Sequence, residues 1–145
     1  MIRPALSCLM LAVIVGTSHA CLCRDDPVSV QTLRFRSSDV FVGRVLSVTA
    51  SGVVRRGQVF IERSWKGVQA GATVVVATLG QGVTCGVQFR SGDRLLVFAR
   101  PDSGDEKGTL WAWRCERSTA VPLEVAALSD SLGAPSSIAK SSPRR

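Results

Sequence analysis

Between Asp39 and Cys115 one pattern recurs: short apolar runs, rich in β-branched and aromatic residues, separated by glycine and polar turns. DVFVGRVLSV begins at Asp39, breaks at Ser51-Gly52, and is followed by QVFIERSW, which ends at Lys66-Gly67. ATVVVATL (72–79), RLLVFA (94–99) and GTLWAWRC (108–115) come next, the last alternating Leu110 with Trp111 and Ala112 with Trp113. Runs of this length, composition and period predict five strands. Gly80–Gly82, Ser91-Gly92-Asp93 and Pro101–Gly108 supply turn signals between them.

Two flanking segments read as helices. Asp26-Pro27 ahead of VSVQTLRFRSS offers a capping carboxylate and a proline suited to a first turn. Pro122–Leu132 (PLEVAALSDSL) places Leu123, Ala126 or Ala127, and Leu128 on one side, and Gly133 stops it. Residues 134–145, APSSIAKSSPRR, are small, polar and basic and read as a disordered tail. Five strands in so short a chain leave two sheet edges to manage, and closure removes both. The expected fold is mainly β: a five-stranded OB-fold barrel with one or two short flanking helices.

The N-terminal pattern differs. One arginine, an apolar run from Ala5 to Gly16, and Ser18-His19-Ala20 predict a secretory signal peptide over residues 1–20, cut between Ala20 and Cys21. The run of about 12 apolar residues falls short of the roughly 20 that a spanning helix needs, so no membrane span is expected. The lipoprotein alternative, in which Cys21 is acylated, wants leucine where Ser18 stands. The mature domain, residues 21–133, is expected outside the cytoplasm, secreted or periplasmic.

Composition then narrows the chemistry. Cleavage removes Arg3 and the chain's one histidine, leaving 17 basic and 11 acidic side chains, with no histidine and no tyrosine. Ser-His-Asp and Cys-His catalysis and histidine-ligated metal sites are excluded for the mature chain, and no enzyme is expected. Asp25-Asp26 and Asp102–Glu106 lie in turn-rich segments, where capping and solvation account for them.

Cys8 leaves with the leader, so Cys21, Cys23, Cys85 and Cys115 remain, an even set suited to disulfides in an exported domain. Joining Cys21 to Cys23 would close a strained ring. Each of them is therefore expected to reach Cys85 or Cys115, and both such connectivities stay open. Cys-x-Cys is not the usual spacing of a metal or redox motif.

CLC at the mature N-terminus, DVFVGRV, WKG, TCGVQFRSGDRLLVFA and WRC together resemble the N-terminal, netrin-like domain of the tissue inhibitors of metalloproteinases. The resemblance runs from Cys21 to about Leu132 and implies an OB-type barrel with Cys21 paired to Cys85 and Cys23 to Cys115. It also implies a mechanism. The α-amine and carbonyl oxygen of Cys21 would chelate the catalytic zinc of a target metalloprotease, so the chain needs no cofactor of its own. Leu22 would enter the specificity pocket, and Gly82, Val83 and Thr84 would form a contact ridge beside it. The implied partner is a zinc metalloprotease, bound by a monomer. The chain departs from the animal inhibitors in having no third bridge in this domain, Leu22 where they commonly carry Ser or Thr, and a short loop over Ala50–Arg56.

Two other classes fit the composition. A basic OB-fold can bind single-stranded nucleic acid through stacking aromatics, here Trp111, Trp113, Phe60, Phe89 and Phe98. Strand aromatics usually belong to a core, so no nucleic acid is expected. A non-inhibitory module could instead bind a protein or polyanion through Arg34 and Arg36, Arg55-Arg56 and Arg144-Arg145.

Overall fold

The computed structural model describes residues 23, 28–80, 85–100 and 107–140. Residues 1–20, expected to be a signal peptide, Asp25 and Asp26, and residues 101–106, expected to lie in a turn, fall outside them. In chain order the elements are α1 (Val30–Arg36), β1 (Asp39–Ser51), β2 (Val54–Lys66), β3 (Thr73–Leu79), β4 (Arg94–Ala99), β5 (Thr109–Trp111), α2 (Pro122–Leu132) and β6 (Ser137–Ile138). A single 3-10 turn, Arg114–Glu116, separates β5 from α2. No helix among the described residues is long and apolar enough to cross a membrane.

The strands form one mainly antiparallel sheet in the order β4-β1-β2-β3-β5, with β6 on β2 and β5 parallel to β3. Alternation explains how it packs. Phe41 and Val45 of β1, Val59 and Ile61 of β2, Val76 of β3, and Leu95, Val97 and Ala99 of β4 share one cluster with Ala112. Both ends of the strand order contribute to that cluster, so the sheet coils around it. The intervening residues Val40, Val42, Leu96 and Phe98 face the other way and meet Leu33 of α1 and Val125, Leu128 and Leu132 of α2. Gly43 allows β1 and β2 to approach: a Cβ there would lie 2.5 Å from the Val59 side chain and 2.6 Å from the Phe60 carbonyl oxygen.

Among the described residues the sheet has six strands and is not closed, which corrects the expected five-stranded closed barrel. No ladder joins β4 to β5 among the described residues; Ala99 and Ala112 form a lone bridge. The reason is local. β5 runs for three residues before the chain turns at Arg114, too short to line β4. The segment after the turn covers that edge instead. Leu96 and Thr119 exchange both backbone hydrogen bonds, at 2.9 and 3.0 Å, and the Phe98 N–H donates to Ser118 Oγ at 2.9 Å.

Three local expectations also change. The N-cap of α1 is Ser29, whose Oγ accepts from the Thr32 N–H at 3.1 Å, rather than Asp26. Lys66 Nζ caps the other end on the carbonyls of Arg34 and Phe35, at 3.2 and 2.9 Å. The buried face of α2 is Val125, Leu128, Ser129 and Leu132, while Leu123 is 83% exposed. Finally, the tail expected to be disordered from residue 134 is ordered over 134–140. β3 ends its pairing with β2 at Phe60, and beyond it β6 pairs with Arg63 and Ser64. The Ser136 N–H donates to the Ser64 carbonyl at 2.7 Å and the Ala139 N–H to that of Glu62 at 2.9 Å.

Candidate functional site

Cys23 is disulfide-bonded to Cys115, a link across 92 residues with the Cα atoms 5.1 Å apart. Cys115 sits in the 3-10 turn that ends the β5 excursion. Cys85 is disulfide-bonded as well. Cys21, its expected partner, lies outside the described residues, as do Leu22, Gly82, Val83 and Thr84.

The two anchoring cysteines belong to segments that touch. The Arg114 N–H donates to the Cys85 carbonyl at 3.1 Å, and Gly86 and Trp113 form an antiparallel bridge. Gly86 is required there, since a Cβ would come within 1.8 Å of the Leu79 carbonyl oxygen. The segment entering Cys85 also starts from a fixed point: the Gly80 N–H donates to the Val53 carbonyl, in the β1–β2 turn, at 2.7 Å. The short loop over Ala50–Arg56 is therefore a two-residue turn, Gly52-Val53, between paired Ser51 and Val54.

One residue that sequence reasoning passed over locks this arrangement. Thr78 is fully buried; its hydroxyl donates to the Ala112 carbonyl at 2.9 Å and accepts the Val87 N–H at 2.8 Å. It thereby ties the segment after Cys85 to the segment before Cys115. A lone hydroxyl inside the apolar run ATVVVATL was its sequence signal, because a buried polar group requires a partner.

Around these anchors, Ala112 points into the core while Trp111 and Trp113 stack on the other face, centroids 5.7 Å apart at 18°. Arg100 pairs with Glu116, next to Cys115, through Nε at 2.8 Å and through Nη2. Arg117 follows the turn in the left-handed region, at φ 59°. A groove of about 630 Å3 opens beside it, between Arg114 and Arg117 on one wall and α2 residues Glu124, Ala127 and Leu128 on the other.

The remaining candidates are dispersed. Phe89 and Phe98 are 2% and 0% exposed, so neither can stack on a base. Arg55 and Arg56 stand near the start of β2, with the Arg55 guanidinium 5.7 Å from the Phe89 ring centre. Arg34 instead donates to the Trp65 carbonyl at 3.3 Å. Ten residues of strand, about 30 Å, separate these two basic pairs. Among the described residues, no three His, Cys, Asp or Glu side chains come together to hold a metal. No protein-family model matches the chain, and no curated protein matches it.

Proposed function

We propose that this chain is an exported, OB-type inhibitor of a zinc metalloprotease that presents its own N-terminus to the protease's catalytic metal. The observation that carries this reading is the Cys23–Cys115 bridge with the bonded Cys85 on the adjoining segment. Two neighbouring anchors suit a chain start of the form Cys-x-Cys, with Cys21 held at Cys85 and Cys23 at Cys115. An ordinary N-terminus frays; one bonded at its first and third residues loses little further freedom on binding.

The chemistry follows from that rigidity. The free amine and carbonyl oxygen of Cys21 take the open coordination position of the target's zinc, displacing its water. The amine's ordinary pKa of about 7.7 to 8.0 permits this with the metal's help. Leu22 fills the adjacent pocket, and Gly82, Val83 and Thr84, leading into Cys85, lie alongside. The zinc is the protease's, and the chain itself catalyses nothing. The strand order supports an OB-type assignment: a β1-β2-β3 meander, β3 parallel to β5, β1 beside β4, and the Ala99–Ala112 bridge where the two ends of the sheet approach.

The test compares two forms of the exported protein against a zinc metalloprotease catalytic domain, after N-terminal sequencing and intact mass. The form beginning at a free Cys21 is expected to inhibit. The same chain with one alanine added ahead of Cys21 is expected to lose inhibition while keeping its fold. Equal inhibition by both forms, or an acylated or uncut Cys21, sinks the mechanism.

A further inference from the structure

We propose that the outer half of β1 is a self-association edge, at which two copies of the chain pair strand to strand about a twofold axis through Thr49. The inference does not depend on the inhibitory reading. Among the described residues, the part of β1 that pairs with β4 is Asp39–Arg44. Val45 is then held by the next loop: its N–H donates to the Asp93 carbonyl at 2.9 Å and its carbonyl accepts from the Gly92 N–H at 2.8 Å. Ser91 Oγ donates to the Leu46 carbonyl at 2.7 Å. From Ser47 to Ser51, the side of β1 away from β2 has no backbone partner among the described residues.

The register shows which groups are left open. Ser51 and Val54 flank a two-residue turn, so they bond to each other, and alternation makes Thr49 and Ser47 face β2 as well. Val48 and Ala50 consequently turn their N–H and C=O groups outward. The irregularity between Val45 and Ser47 agrees with this phase, because one extra residue lets Val45 and Val48 both face away from β2.

Natural proteins guard such edges with charge, proline or cover. Elsewhere this chain does so: Ser118 and Thr119 cover β4, and β6 covers the far end of β2. Ser47-Val48-Thr49-Ala50-Ser51 contains neither a charge nor a proline.

The segment is also its own complement. Antiparallel pairing centred on Thr49 sets Val48 against Ala50 of the second copy twice over, giving four backbone hydrogen bonds, and sets Thr49 against its equivalent. The pairing brings the Gly52 turn of one copy toward Ser91-Gly92 of the other. Both glycines leave room, with no atom within 4 Å of where a Cβ would sit. Arg55 and Arg56 lie one strand further in, so equivalents in the two copies stand three strand spacings apart, about 14 Å. That exceeds the Debye length of about 8 Å at physiological salt, so their repulsion is screened. A five-residue edge covers less than the roughly 1,200 Å² of a stable interface, so the dimer is weak and concentration-dependent.

Sedimentation equilibrium of the exported protein between about 10 µM and 1 mM, the range of weak affinities, reads this directly. The average mass is expected to rise toward twice that of one chain, and to rise further as salt screens the like charges of the two copies. Ala50→Pro, which removes an outward N–H without breaking a β1–β2 bond, is expected to hold the mass at one chain throughout. Thr49→Lys, placing two ammonium groups at the axis, is expected to do the same from an exposed position. Hydrogen exchange should show the Val48 and Ala50 amides fast in dilute protein and slower in concentrated protein. A wild-type mass of one chain across the range overturns the proposal, and so does a dimer that survives both substitutions.

Discussion

Two adjoining regions of this molecule are held by opposite means. The β1–β2 hairpin is built locally: thirteen-residue strands joined by the two-residue turn Gly52-Val53, paired from Val40–Lys66 to Ser51–Val54 with three register shifts along the way. The region beside it, where residues 85–87 meet 111–115, has little regular structure of its own. It is assembled from distant pieces by the Cys23–Cys115 bridge, the Gly86–Trp113 contact and the Thr78 hydroxyl. A hairpin draws its order from a repeated pattern, so no single residue carries it. A cross-tied junction concentrates its order in a few groups, each expensive to lose.

The largest effect expected from breaking that difference comes from the Cys23–Cys115 bridge. It closes a loop of about 90 residues, for which the chain-entropy argument gives roughly 4 to 5 kcal/mol. A Cys23→Ala, Cys115→Ala protein should lose most of that in urea unfolding. Hydrogen exchange should locate the first openings at Val87 and Ala112, with the Phe60 and Ile61 amides of β2 still protected. Uniform loss of protection across the sheet would mean that the two regions are not separable.

Thr78→Val asks the same question without touching a disulfide. The substitution keeps the volume but removes the hydroxyl, leaving the Ala112 carbonyl and the Val87 N–H without their partner in the interior. Buried groups stranded in this way cost about 1 to 3 kcal/mol each, so for the two of them a loss of about 2 to 6 kcal/mol is expected. Chemical denaturation of the oxidised protein gives the figure. A change below about 0.5 kcal/mol, the level of an ordinary surface substitution, would remove Thr78 from the junction.

These contrasts also explain what could be read in advance. The short apolar runs were legible where both faces of the sheet are buried, as at Val40, Phe41 and Val42, all of them core. The turn at Gly52 was legible from composition. The buried side of α2 was not: Leu123 attracts a hydrophobicity argument, but it lies in the first turn and is exposed, while Ser129 is buried by bonding its own helix at the Val125 carbonyl. β6 was illegible because two residues carry no period, and its place is decided by the edge of β2 that β3 leaves free. Within the candidate site, that Cys23 and Cys115 are disulfide-bonded was legible from the number of cysteines, but that they pair with each other was implied only by the resemblance. Thr78 and Gly86 were missed because their roles exist only once residues 78, 86 and 112 are brought together.

The smallest effect belongs to the hairpin. Gly52 has φ +58°, the left-handed region, and no atom lies within 4 Å of a would-be Cβ, so Gly52→Ala meets conformational strain without a clash. That strain is about 1 to 2 kcal/mol, partly offset because alanine restricts the unfolded chain. A net loss of about 1 kcal/mol is expected, less than for Thr78→Val although Gly52 sits in an obligatory turn. The turn also holds the Gly80 N–H on Val53, so the same variant tests whether hairpin and junction communicate. Combining Gly52→Ala with Thr78→Val should give additive losses if they do not, and a shortfall or excess above about 0.5 kcal/mol if they do. Additivity is the expected result, because the Gly80–Val53 bond joins the two regions through one backbone contact while each is ordered by its own means.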